Sequence, residues 1–279
     1  MARNILVALD LSPSSLNVLI QAGHMMAGGE GRLHAVHALA GDSGHEAALT
    51  QLLQFKGLLP GELQDRVDMD VVTGGAAAIL GKAAELAADL LVVGPASRRS
   101  WFDQVTKGST TVQLMRAAKV PILVVRKSEA AHYAMALAPV DVEAEFRDNV
   151  RMARDVLEDV PLALLAVLAD STRMQMIAAE ARPEAVKKFD EDSLARAQGV
   201  LELIAEEVAT PDWRPSCYVT IGDPVEAVQS WRMTLGADVL VLRPSGKSLI
   251  ERLLFGSVSE ALVQDDAECD VLVLPPPQD

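Results

Sequence analysis

The sequence predicts an α/β chain made of two tandem domains, each on a mainly parallel sheet, and three observations carry that reading. The first is an internal repeat. Ala88-Asp89-Leu90-Leu91-Val92-Val93-Gly94 returns as Ala237-Asp238-Val239-Leu240-Val241-Leu242-Arg243. Each copy is followed by a Gly-Ser pair, Gly108-Ser109 and Gly256-Ser257, then a short helical stretch and one more apolar strand, 120–125 and 270–274. A repeat this long exceeds the solenoid range of about 20–50 residues and marks duplicated domains. The second observation is a hydrophobic period that switches between strand and helix spacing throughout, as βα units require. The third is length: 279 residues suit roughly two domains.

The elements follow in order. Ile5 to Leu9 is a continuous apolar run, the signature of a strand buried on both faces. Asp10 ends it, and Ser12-Pro13 reads as an N-cap with Pro at the first helical position. Leu16, Leu19, Ile20 and Met26 recur at helical spacing. Strands follow at 33–39 and 67–72, with a looser helical region at 46–64 between them. Thr73-Gly74-Gly75 turns the chain into a helix at about 77–87, which delivers it to a fourth strand at 89–93.

The second half repeats that order. Ala136 to Val140 takes the place of the first strand and also runs into an Asp, Asp141. Phe146, Val150, Ala153 and Leu157 mark one helix face. A strand at 162–168, a long helix at 183–208 and a strand at 217–220 follow, the last running into Gly222-Asp223-Pro224. Residues 127–131 form the linker, so the domains are expected at 1–127 and 132–275.

Composition bounds the partners. Half of the residues are hydrophobic but only 4% aromatic, so the cores must be built from Ala, Val, Leu and Ile. With 25 basic against 39 acidic residues the net charge is −14, and no basic run offsets it. Such a chain repels a phosphate backbone, which argues against nucleic acid and anionic membrane. No stretch approaches the roughly 18 apolar residues of a membrane span, and the N-terminus carries no signal-peptide pattern. The expected location is cytoplasmic. Cys217 and Cys269 read as buried reduced thiols, and the methionines, Met25, Met26, Met174 and Met176 among them, as core filler. Asp190-Glu191-Asp192 reads as a solvated helix face. Trp213 and Trp231, near element ends, are expected to pack between the domains.

The chemistry concentrates after the fourth strand of each half. Gly246 is followed by nine residues and then Gly256-Ser257, while Arg243 stands where that strand ends. The loop leaves the carboxyl end of a parallel strand, where open α/β sheets bind ligands. Gly246 admits close backbone approach, and Gly256-Ser257 opens a helix whose free N–H groups favour an anion. An ordinary glycine turn with a Ser N-cap accounts equally well for the loop taken alone.

Taken together, this spacing resembles the universal stress protein family. The strand-one endings Leu9-Asp10 and Val140-Asp141, and Gly222-Asp223-Pro224 after strand three, belong to the same likeness, which covers almost the whole chain as two copies. The resemblance implies two five-stranded parallel open α/β domains of the adenine nucleotide alpha hydrolase type, packed about a pseudo-twofold. It also implies that the strand at 120–125 meets the strand at 270–274. In nucleotide-binding members the glycine loop holds ATP, which brings Mg as a companion cation. The resemblance places Asp141 at the adenosine end, Gly246, Gly256 and Ser257 at the phosphates, and Asp10, Gly94, Gly108 and Ser109 at the matching positions of the first half.

Both halves depart from the family pattern. Arg243 replaces the first glycine of the second loop, and it either pairs the phosphates or fills their pocket. In the first loop Ser97 stands where the second glycine belongs, ten residues instead of nine separate it from Gly108, and Trp101 and Phe102 add bulk. The first site is the more eroded.

Three look-alikes carry less weight. Ser245-Gly246-Lys247-Ser248 resembles the end of a P-loop, but the loop's first glycine would fall at Val241, inside a strand. Gly41-Asp42-Ser43-Gly44 matches a serine-protease tetrapeptide, but that fold is all-β. His34 and His37 sit on opposite faces of one strand, which rules out a shared metal.

The functional expectation is a stress-response or regulatory protein binding ATP in its second domain, with an unidentified protein partner. The chain is expected to be an intramolecular pseudo-dimer that can also form a homodimer. The alternatives are an interaction scaffold or apolar-ligand binder of the same fold and, last, an enzyme with at most weak ATP hydrolysis, since no base, nucleophile or carboxylate pair converges on the loop.

Overall fold

The computed structural model describes residues 3–26, 31–41, 43–94, 110–140, 146–243 and 269–275. It divides into two compact units, Met1–His132 with Ala267–Asp279, and Tyr133–Asp266.

In the first unit the order is β1 (Asn4–Leu9), α1 (Ser15–His24), β2 (Arg32–Leu39), α2 (His45–Leu58), α3 (Gly61–Gln64), β3 (Val67–Thr73), α4 (Gly75–Glu85), β4 (Leu90–Val93), α5 (Thr110–Ala117) and β5 (Ile122–Val124). The strands lie in the order β3-β2-β1-β4-β5, all parallel. The chain therefore steps outward from β1 to β3, crosses back over β1, and steps the other way to β5. The apolar runs of β1 and β4 become the centre of the sheet. Ile5, Leu6, Leu90, Leu91 and Val92 are wholly buried, each contributing about 1.5–3 kcal/mol by leaving water.

The last strand of the chain, β10 (Asp270–Val273), belongs to this unit rather than to the one that precedes it in sequence. It lies antiparallel on β5, pairing Val271 with Val124 and Val273 with Ile122. The expected meeting of the strands at 120–125 and 270–274 is therefore present. β10 occupies what would otherwise be an open row of β5 hydrogen-bonding groups. Asp270 fixes the register: it is fully buried, and its Oδ1 accepts the backbone N–H groups of Arg126 (2.6 Å) and Lys127 (2.8 Å).

The linker then lies along one stripe of α1. Asn17 Nδ2 donates to the Lys127 carbonyl (2.8 Å), Gln21 Oε1 accepts from the Ala131 N–H (3.0 Å), and His24 stacks on His132 with ring centroids 4.4 Å apart. These three positions recur at helical spacing, so one face of α1 holds the whole segment. Burial, and then the charge of His132, press the His24 pKa below its ordinary 6.5, against a smaller opposing hydrogen bond with Ala131.

The second unit contains β6 (Ala136–Val140), α6 (Arg147–Leu157), β7 (Leu162–Leu168), α7 (Ser171–Ala178), α8 (Pro183–Val208), β8 (Ser216–Ile221), α9 (Pro224–Leu235) and β9 (Val239–Leu242). Its strand order is β9-β6-β7-β8, again parallel. The start of α9 is fixed locally. Asp223 accepts from the N–H groups of Val225 (2.9 Å) and Glu226 (3.2 Å), Pro224 fills the first turn, and Gly236 closes the helix at φ +63°.

Several expectations are corrected. α1 starts at Ser15 rather than at Ser12-Pro13, because Asp10 Oδ1 captures both the Ser12 N–H and the Ser15 hydroxyl (3.0 Å each). The residues buried on α1 and just past it are Ser15, Val18, Leu19, Gln21, Ala22, Met25 and Met26, while Leu16 and Ile20 are only half-buried. Met174 is exposed and Met176 partly so, on a helix, α7, that the periodicity did not resolve. Cys217 is only half-buried, which still pushes its thiol up to about 11. Asp190 is not merely solvated: it takes Arg173 Nε at 3.0 Å and ties α7 to α8. Both tryptophans find partners inside the second unit, Trp213 Nε1 donating to the Val160 carbonyl and Trp231 lying against Tyr218. His34 and His37 keep separate partners, Asp68 and the Leu9 carbonyl.

Two measurements test this account. Asp270→Ala strands two backbone donors, and urea unfolding is expected to show a loss of about 2–4 kcal/mol. His24 has a folded pKa below its unfolded value. The unfolded chain therefore binds more protons as pH falls through 6.5, and the stability present above that pH is progressively lost below it. Melting temperature should drop between about pH 7.5 and about pH 5.5, and less steeply in His24→Asn. Equal slopes in the two proteins would remove His24 from the explanation.

Candidate functional site

The reversal of strand order in the first unit falls between β1 and β4. β1 sends the chain to β2 on one side, while β4 continues to β5 on the other. Open α/β sheets take ligands in the crevice outside the carboxyl ends of the strands where the order reverses, here the ends of β1 and β4. Ala8 is level with Val93, so the residues just beyond, Asp10 after Leu9 and Gly94 after Val93, flank the mouth of that crevice. Asp10 is held by the two contacts that also set the start of α1, which aims its carboxylate back at the strand-to-helix turn. Gly94 leaves room that a side chain would take: a Cβ there would stand 3.3 Å from Val18 Cγ2 on α1.

The second unit repeats this arrangement in register. Ile5 pairs with Leu90 in the first sheet, and Ala136 pairs with Val239 in the second. In both cases these are the residues five positions before the Asp and four before Gly94 or Arg243. β6 and β9 thus bring the end of Val140 and Arg243 to the same kind of crevice. The helix beneath repeats too. The buried residues of α6 and its cap, Phe146, Asn149, Val150, Ala153, Val156 and Leu157, each lie 131 positions beyond Ser15, Val18, Leu19, Ala22, Met25 and Met26. Asn149 therefore takes the place of Val18, and Arg243 that of Gly94.

Of the residues expected at the sites, Asp10 and Gly94 follow the ends of the neighbouring strands β1 and β4, and Arg243 follows the end of β9. Asp141, Gly246, Gly256, Ser257, Gly108 and Ser109 lie outside the described residues. Val18 and Asn149 went unrecognised in the sequence, because the apolar stripe Phe146-Val150-Ala153-Leu157 is complete without Asn149.

The arrangement fits a nucleotide at the points described: a strand-edge crevice, a side-chain-free approach at Gly94 and a guanidinium at Arg243, whose fork of donors suits phosphate oxygens. For Mg the donors are missing: among the described residues no three His, Cys, Asp or Glu side chains gather into a metal site. A magnesium ion would have to arrive on the phosphates. Among the described residues, no helix is long and apolar enough to cross a membrane.

The Gly94–Val18 contact can be measured. Gly94→Ala is expected to cost about 1 kcal/mol by overpacking. Combining it with Val18→Ala should recover about 0.5–1 kcal/mol relative to additivity in a double-mutant cycle. Strict additivity would mean that the two positions do not touch.

Comparison with known proteins agrees with this geometry. The model of the universal stress protein family matches residues 1–126 and again 136–275. No curated protein matches the sequence. Solved structures that match include a universal stress protein candidate from Pseudomonas aeruginosa, at 19% identity, covering 99% of this chain and 94% of that one, with a TM-score of 0.63. A universal stress protein from Archaeoglobus fulgidus matches at 16% identity over 99% and 97%, TM-score 0.61. The cytoplasmic domain of a prokaryotic cation chloride cotransporter matches at 11% over 99% and 96%, TM-score 0.54. At such identities these structures speak for the fold alone. The two family matches together span nearly the whole chain, which belongs to the universal stress protein family as two consecutive copies.

Proposed function

We propose that this chain is a regulatory stress-response protein that binds an adenine nucleotide, ATP, in its second domain, residues 132–275, the first domain, 1–127, keeping a degenerate site. The observation that supports the reading is the repeated strand register, which makes the carboxyl strand ends after Val93 and Leu242 equivalent in the two units. Arg243 then supplies, in a chain of net charge −14, a cation at the edge where phosphates would lie. In this reading Asp141 faces the adenosine end, while Gly246, Gly256 and Ser257 cradle the phosphates with backbone N–H groups at a helix start. Holding and releasing a nucleotide is a signal in itself and asks for no catalytic base.

A second reading, an interaction scaffold, draws on one observation. Met174 and Ile177 on α7, and Val200 and Leu203 on α8, are exposed apolar residues spaced for single helix faces. Mass spectrometry of what co-purifies with the native protein separates the two readings: adenine nucleotide favours the first, and lipid or protein the second. Calorimetry should then show Gly256→Val weakening ATP by at least about tenfold, since a branched side chain intrudes on the anion-binding helix start, while Gly108→Val changes affinity little. The reverse order would move the working site to the first domain.

A further inference from the structure

The two crevices share a backbone but not a floor. α1 presents Val18 to Gly94 at the end of β4, and on α6 Asn149 holds the position in the burial stripe that Val18 holds on α1. Asn149 is only 5% exposed, and its Nδ2 has no hydrogen-bond partner. Its neighbours along the stripe, Phe146, Val150 and Ala153, are apolar and buried. A buried amide donor left unmade is costly, and valine, as at the equivalent position of the first unit, would avoid that cost. The companion exchange points the same way. In the first unit a Cβ on Gly94 would stand 3.3 Å from Val18; in the second a real Cβ, that of Arg243, occupies the position, and an amide replaces the valine methyls. An Asn and an Arg thus hold, in the second unit, the two equivalent positions at which the first unit has a Val and a Gly in contact.

We propose that Asn149 is a ligand-recognising residue of the second crevice, its Nδ2 donating to an acceptor oxygen of the anionic part of the ligand, a nucleotide phosphate, beside Arg243. The inference rests on the nucleotide reading of this site and adds to it the group that distinguishes the second crevice from the first. The first crevice, with Val18 and Gly94, offers no donor there and cannot make the same discrimination.

Asn149→Val separates recognition from packing. Relieving the buried amide should raise the melting temperature of the ligand-free protein by about 3 °C. Calorimetric affinity for ATP should fall by about tenfold, as for one lost hydrogen bond to a charged group, and affinity for adenosine should stay within about twofold of the wild type. Asn149→Ala is read the same way if valine does not fit. If ATP affinity is unchanged in a variant that melts higher, Asn149 is a packing defect and the proposal fails while the nucleotide reading stands. Equal losses for ATP and adenosine would also overturn it, since the amide would not then be reading the anionic part. If the wild type binds neither molecule, the nucleotide reading falls and takes this inference with it.

Discussion

A buried carboxylate organises the first unit. Asp270 has no exposed surface, and an ion so placed is tolerable only when donors surround it. The Arg126 and Lys127 N–H groups converge on one of its oxygens where β5 ends. That contact fixes how far β10 slides along β5, because a shift by one residue would move the carboxylate to the opposite face. It also fixes where the chain leaves the sheet. From that exit the linker runs along Asn17, Gln21 and His24 of α1, the helix whose Val18 underlies the Gly94 edge. The edge of the sheet and the floor of the crevice are thus joined through one helix.

The sites diverge where the fold lets them. Strand register, the Asp after the first strand and the six-residue burial stripe of the helix are the same in both units, since each is demanded by a core built from Ala, Val, Leu and Ile. Residues beyond the strand ends face no such demand. Gly94 and Arg243 occupy equivalent positions with opposite consequences, a close approach of α1 against a long cationic side chain, and the sheet accepts both. Arg243 as a ligand group and Arg243 as a plug remain distinct in physical terms. The amide of Asn149 favours the first, because a plug would be better served by an apolar floor.

Much of this was legible in the residues. The strand at 162–168 and the helix at 183–208 were readable to the residue, because a long apolar run and a long periodic segment leave few alternatives. The pairing of the strands at 120–125 and 270–274 came from the family likeness rather than from periodicity, which holds no information about antiparallel partners. Local competition explains the misses. Ser12-Pro13 has the composition of a helix start, but Asp10 claims the Ser12 N–H first. Met174 and Met176 of α7 were read as core from hydrophobicity alone, and neither is buried. Asn149 was passed over because the apolar residues around it satisfied the helical pattern without it.

That last oversight has a general cause. Pattern reading weights the residues that agree with a core and treats a lone polar member as noise, whereas burial turns the same residue into the costly exception. Asn149 is visible only once its exposure and its lack of a partner are known together. Duplication supplies the control that a single domain lacks. Val18 shows what the position looks like when packing alone decides it, under the same helix stripe and beside the same strand register. The two units share that stripe and that register, so under the proposal above the amide that replaces a valine belongs to what the second unit holds at the carboxyl edge of its parallel sheet.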